Sequence, residues 1–413
     1  MAQQGWHAVL PQATHDEDAM RGFVYVLKTH LQAKVIGGNA TVYRKLVEPE
    51  FKKKNGRSPR DRHEVRAEMV RQPYYQMYSA MQKNLQMISQ DAVGDSIYRQ
   101  LPEMIGNFRK MAKKPKGSLK LDPALEVPRY LSAVDIHYSP GSYFAETTDD
   151  DVTAGARYDS GFYLYVMGAL GRYNENMGVS GVHWLKEHHP NLKPKRILEL
   201  GCTAGNSLTP YVDAYPNAEV HGIDIGAPCL RYGHARAESM GKAIHFSQQN
   251  AEHTDFPNGH FDLIVSHILL HETSRKAIYA IMQECHRLLK PGGMVIHLEA
   301  ALRYAEMDPY DAFIRDWSTH NNAEPFWGAV KEMDLVDPAA GQPWPPVQYW
   351  SCGGCGRHFW TSYVTAPGTA PAKPAPPAAA ATPPASPPAS ALATPAAAAP
   401  EPHFPPPEAP TAS

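Results

Sequence analysis

The sequence predicts an α/β protein built on a doubly wound, mostly parallel sheet, preceded by a helical region and followed by a disordered tail. Three observations point there. Between residues 195 and 300, short apolar runs alternate with stretches of helical spacing. Upstream, the apolar residues keep a helical period instead. Beyond Thr365 nearly everything is Pro, Ala, Thr or Ser.

Residues 1–130 read as helical. In YYQMYSAMQKNLQMISQD, the residues Tyr74, Met77, Tyr78, Met81, Leu85 and Ile88 fall on one helical face. Pro73 sits where a first turn tolerates proline. The stripe of Met and Tyr is read as packing. Lys113-Lys114-Pro115-Lys116-Gly117 reads as a connector. Residues 131–194 read as an aromatic-rich cap leading into the core. Within it, DSGFYLYVMGALGRYNENMG predicts a helix with Ser160 as its candidate cap.

Residues 195–364 carry the clearest pattern. The strands are KRILEL, AEVHGIDI, AIHFSQ, FDLIVSH and MVIHLEA. Between the last two, SRKAIYAIMQECHRLLK keeps apolar residues at helical spacing. Thr273 or Ser274 caps its start, and Lys290-Pro291-Gly292-Gly293 ends it. Strands alternating with helices make a parallel sheet covered on both faces, with ligands bound beyond the strands' carboxyl ends. VQYWSCGGCGRHFWTSYV then predicts an antiparallel hairpin turning at Gly353-Gly354, with Cys352 opposite Cys355. A structural zinc needs four ligands, and no such set is evident, so no metal is expected. Residues 365–413 hold too few large apolar side chains to offset their ordering entropy. They read as a disordered tail that solubilises the chain or docks a partner.

Composition narrows the function classes. Lys and Arg number 40 against 42 Asp and Glu, which leaves no basic footprint for nucleic acid. The basic stretch FKKKNGRSPRDRHEVR at 51–66 is broken by acids and reads as a solvated face. No run of about 18 apolar residues predicts a membrane span. The N-terminus lacks the pattern of a signal peptide. The 5 cysteines are few and odd in number, which fits a reducing cytoplasm.

The chemistry concentrates in ILELGCTAGNS, residues 197–207. A strand ends in Glu199 and a loop follows, with Gly201 and Gly205 around Thr203. A dinucleotide fingerprint would need glycines where Thr203 and Asn206 stand. That disfavours a nicotinamide-dependent oxidoreductase.

The loop resembles the first motif of class I S-adenosylmethionine-dependent methyltransferases, an acid followed by Gly-x-Gly-x-Gly. Thr203 departs at the middle position. Four more segments agree in order: VHGIDIG, QNAEHTDFPNGHFD, FDLIVSHILLHE and LKPGGMVIHLE. The likeness is strongest over 195–300, and its flavour is the small-molecule branch, as in quinone and sterol biosynthesis. It implies a seven-stranded Rossmann-like sheet and S-adenosyl-L-methionine as cofactor. It further implies that Asp224, followed by Ile225, accepts the ribose hydroxyls. Asn250 and Ala251 would meet the adenine, with Asn in place of the usual Asp. The backbone from Gly201 through Cys202 and Thr203 to Gly205 would approach the methionine part, with Glu199 orienting that loop or contacting the amino group through water. Ser266 and His267 would line the adenosine side, and Tyr158, with Tyr163 a similar candidate, would cover the cofactor or the substrate.

His271, after the fourth strand, is the candidate base, since imidazole titrates near neutrality. Glu272 reads as a helix-start acid. His137 and Tyr143 are further candidates. SHIL stands where base amino-group methyltransferases carry their Pro-Pro motif, and no Pro-Cys pair is present. The expectation is therefore methyl transfer to a small apolar or aromatic molecule. The rivals are a nicotinamide-dependent oxidoreductase, a non-catalytic cofactor-binding or assembly protein, and a protein methyltransferase.

Overall fold

A computed structural model describes residues 3–299, 303–333, 347–352 and 357–362. These all belong to one compact unit, Met1–Ala370. The expected tail and the Gly353-Gly354 turn with Cys355 lie outside the described residues, as does the side chain of Cys352.

Six parallel strands form the sheet: β1 (Ser118–Lys120), β2 (Arg196–Leu200), β3 (Glu219–Asp224), β4 (His245–Gln248), β5 (Phe261–His267) and β6 (Leu289–Leu298). Their order is β1-β4-β3-β2-β5-β6. Two further strands, β7 (Val347–Cys352) and β8 (Arg357–Ser362), pair antiparallel, and Trp360 of β8 pairs with His297 of β6. Strand β1 is an addition that the sequence did not signal. Three residues long, with Ser118 and Lys120 exposed on either side of Leu119, it is too short for its alternation to mark a strand.

The period of two decides which helix each face receives. Ile197, Leu263, Val265 and Ile296 pack with Leu185 and Leu230 of the helices Asn176–His188 and Ala227–Ser239. Their strand neighbours Leu198, Ile264 and Val295 pack instead with Ile278, Ile281 and Cys285 of the helix Arg275–Leu288. Burial on both faces is why these strands read as continuous apolar runs. Ser274 caps the last helix, accepting from the Ala277 amide at 3.2 Å.

The N-terminal region is helical, and it shares a core with the sheet layer. Val93 and Ile97 of the long helix Pro73–Met111 cluster with Tyr232 and Ala235 of Ala227–Ser239. The expected face of this helix is shifted: Tyr75 is buried, and Met77 is 45% exposed. The cap helix is Thr153–Tyr165, and Ser160 lies inside it, buried. Asp151 ties down its start, accepting from the Thr153 amide at 2.6 Å.

Helix Asn176–His188 docks against the loop after β2 through Gly178, where an added Cβ would sit 2.1 Å from the Ser207 carbonyl oxygen. Gly178→Ala is expected to lower stability by about 1–3 kcal/mol in urea denaturation. Gly22→Ala has open space around it and is expected to be neutral or stabilising by up to about 1 kcal/mol.

Candidate active site

A cavity of about 350 Å³ opens at the carboxyl ends of β2, β3 and β5, walled on its other side by the N-terminal and cap helices. Gly201, Thr203, Asp224, Ile225, Asn250, Ala251, His267 and His271 line the sheet side. Tyr158, Tyr143, His137, Gln86 and Arg157 line the helical side.

The loop after β2 turns through left-handed conformations at Gly201 (φ +64°), Thr203 (φ +43°) and Gly205 (φ +66°). For threonine that geometry costs roughly 1–2 kcal/mol. It directs the Thr203 amide at Asp224 Oδ2, 2.9 Å away, while the Gly226 amide donates to Oδ1 at 2.8 Å. Burial raises the Asp224 carboxyl above its usual range, and these amide bonds oppose the rise. A short acid is thus fixed at a strand end, facing the cavity. Asn250 also faces it; its side-chain carbonyl accepts from the Glu252 amide at 2.9 Å, which holds the residue in a turn.

Four expected cofactor residues do not line the cavity. Glu199 lies beneath the loop, with His267 Nδ1 2.5 Å from its Oε1. Burial raises the Glu199 carboxyl, and His267 opposes that. Cys202 is buried, its Sγ 2.8 Å from where a Gly222 Cβ would stand. Gly205 packs over Phe246. The Ser266 hydroxyl is 2.7 Å from His297 Nδ1, inside the sheet layer. Tyr163 is buried off the cavity, whereas Tyr158 stacks on Phe162 with centroids 5.3 Å apart, forming an aromatic wall.

His271 Nδ1 bonds Glu299, whose other oxygen accepts from the Leu270 amide at 2.9 Å. Its Nε2 is 3.6 Å from Glu272. Burial works to lower the His271 pKa, but the Glu299 and Glu272 carboxylates outweigh it and push it up to about 9. A neutral base at physiological pH is therefore not what His271 is in this environment. His137 sits on the far side of Glu272, with Nε2 3.1 Å from that carboxylate and Nδ1 2.8 Å from Glu324. Burial opposes its charge too, and the two carboxylates hold it well above its ordinary value. Tyr143 Oη lies 3.4 Å from Glu272.

Glu299, Glu324 and Arg157 were not visible as site residues in the sequence. Glu324 comes from beyond the motifs, and no local pattern marks it, whereas Glu299 closes the motif LKPGGMVIHLE. Glu299 follows β6 directly, so a strand-end acid was the one available signal.

Fold and cavity together define a doubly wound domain with a cavity at its strand ends. Residues 197–293 match the family described as methyltransferase domain. The chain is similar to the demethylmenaquinone methyltransferase of Thermus thermophilus, 32% identical over 106 residues, covering 26% of this chain and 47% of that protein. It is likewise similar to the ubiquinone biosynthesis O-methyltransferase of Pseudomonas aeruginosa, 32% identical over 116 residues, covering 28% and 47%. The chain thus spans less than half the length of these curated relatives. A solved neighbour is phosphoethanolamine N-methyltransferase 2 of Haemonchus contortus in complex with S-adenosyl-L-methionine, 17% identical, TM-score 0.37, covering 46% of this chain and 43% of that one. The matched segment is thus similar to methyltransferase domains over residues 197–293.

The paired histidine gives a pH signature. Below about pH 6.5 the imidazole is charged both folded and unfolded, so its pairing with Glu299 counts in full. The pairing is lost as pH rises through the folded value of about 9. Urea denaturation is expected to show stability falling over that window by a few kcal/mol, because each tenfold gain in proton affinity on folding contributes roughly 1.4 kcal/mol. His271→Asn should flatten the fall.

Proposed function

We propose that this protein transfers a methyl group from S-adenosyl-L-methionine to a small apolar or aromatic metabolite. The observation that carries the reading is the Asp224 carboxylate, locked by the Thr203 and Gly226 amides at the mouth of an aromatic-walled cavity. Such a carboxylate suits a pair of vicinal ribose hydroxyls, because both acceptor oxygens are already held in place before binding. Asn250, Ala251 and Ile225 supply a flat edge beside it for adenine. When bound, the cofactor supplies an electrophilic sulfonium methyl. Alignment then does most of the catalytic work.

For an acceptor that must lose a proton, we assign the task to the His271–Glu272 pair. The rings of His271 and His137 flank the Glu272 carboxylate, whose Oε2 has no partner among the described residues. That oxygen can take a proton from a hydroxyl acceptor, while Glu299 and Glu324 continue to answer the charges of the two rings. The relatives named for quinone biosynthesis favour a ring-bearing acceptor.

The nicotinamide reading loses on Asn206. Its side chain fills the third glycine's place, donating to Asp159 at 2.7 Å and to the Tyr173 carbonyl at 2.8 Å. We read β2 to β6 with β8 and β7 as the seven-stranded sheet of the class, β1 being an added edge. We also keep the division at 130, 194 and 364, with the helical and cap regions closing over the cofactor. A cytoplasmic location fits the free cysteines Cys202, Cys229 and Cys285. Among the described residues no helix is long and apolar enough to cross a membrane.

Calorimetric titration tests the reading. S-adenosylhomocysteine is expected to bind in the micromolar range and NADH not at all. Asp224→Ala should weaken binding by about tenfold or more, the scale of a lost charge-assisted hydrogen bond. NADH binding in its place would refute the proposal.

A further inference from the structure

Arg157 is a buried cation with no carboxylate partner among the described residues; its guanidinium carbon stands 5.1 Å from the Tyr98 ring centroid, a contact that answers its charge only in part. Its side chain is 6% exposed and lines the cavity. Nη1 donates to the Gln90 carbonyl at 3.1 Å and Nη2 to the Tyr98 hydroxyl at 3.1 Å, both neutral acceptors. Nε has no partner among the described residues. By contrast Arg236, also buried, faces the Asp159 carboxylate at 3.9 Å, and Arg62 faces Asp316 at 3.2 Å. Buried charges in proteins are paired, because an isolated one loses its hydration without compensation.

The fold makes room for this guanidinium. At Gly94 of the helix Pro73–Met111 an added Cβ would stand 2.8 Å from Nη2. Gln86 and Gln90 reach past it and donate to the His137 carbonyl at 3.2 and 3.3 Å. Arg157 lines the same cavity as His137, whose own ring nitrogens face Glu272 and Glu324. Asp224 belongs to the opposite, sheet-side wall.

We propose that Arg157 binds a carboxylate of the methyl acceptor, so that the substrates of this protein are small aromatic or apolar acids. The proposal rests on reading the cavity as the acceptor site of a methyltransferase. The carboxylate would supply the missing counter-charge to the guanidinium and orient the molecule with its nucleophilic atom toward Glu272. Recognition by a fork of fixed donors would then select acids over amides of the same shape.

The probes are benzoate and benzamide, equal in shape and different in charge. Each is titrated calorimetrically into the full chain, with and without saturating S-adenosylhomocysteine. Benzoate is expected to bind about tenfold tighter than benzamide. Arg157→Gln should erase that preference and leave S-adenosylhomocysteine affinity unchanged, and Arg157→Lys should retain part of it. Equal binding of the two probes, or binding of neither, by the unaltered protein overturns the proposal without any variant. So does an Arg157→Gln protein that loses S-adenosylhomocysteine instead, which would assign the guanidinium to the cofactor's own carboxylate. If the unaltered protein prefers benzoate but ignores S-adenosylhomocysteine, the methyltransferase reading fails while the carboxylate site stands. Should Arg157→Gln fail to melt cooperatively, Arg157→Lys and the probe comparison still decide.

Discussion

The architecture turns on one buried carboxylate, Asp159. It accepts from His7 Nε2 at 3.0 Å, Tyr232 Oη at 3.0 Å, Asn206 Nδ2 at 2.7 Å and Asn174 Nδ2 at 3.0 Å. Those donors come from the N-terminal segment, the helix Ala227–Ser239, the loop after β2 and the turn beyond the cap helix. Burial disfavours the ionised form. The His7 bond, the charge of Arg236 and the Asn206 bond outweigh it and hold the carboxyl well below the usual range. A buried charge with one donor removed typically costs about 3–5 kcal/mol. The four segments are therefore bound to a single arrangement around it.

That constraint sets the cavity. Tyr158 precedes Asp159 in the chain, so fixing the carboxylate fixes the aromatic wall. Asn206 closes the same loop that carries Thr203, and this over-determination is what lets a threonine persist at φ +43°. The strain held in the loop serves to aim one amide at Asp224. Sheet side and helical side thus meet at the site as parts of one packed body, with Ala204 and Tyr232 in the same cluster as Val93 and Ile97.

How much of this the sequence disclosed follows from how local each signal is. The core strands were legible because burial on both faces leaves long apolar runs, as in FDLIVSH. The helix Arg275–Leu288 was legible from its spacing and its serine cap. The cavity-facing positions Asp224, Thr203 and Asn250 were legible because each ends a strand or opens a turn within one motif. Ser160 misled, since Asp151 had already satisfied the helix start. Met77 misled because the face of the long helix is set by partners such as Phe313, which packs on Tyr75 with centroids 5.1 Å apart. The charge state of His271 was illegible. It depends on Glu299, a residue 28 positions away that only the β5–β6 pairing brings beside it.

Strand β1 has a bearing on how the molecule behaves in a crowded solution. Without it, β4 would present a row of free amides and carbonyls at the edge of a parallel sheet, a template for another chain. Three residues suffice to occupy those groups: Ser118 through Lys120 pair with His245 through Ser247. The new border is too short to recruit a further strand, and Lys120 is held against Asp255 at 2.6 Å. The connector from the helical region to the cap thereby doubles as a guard against filament growth.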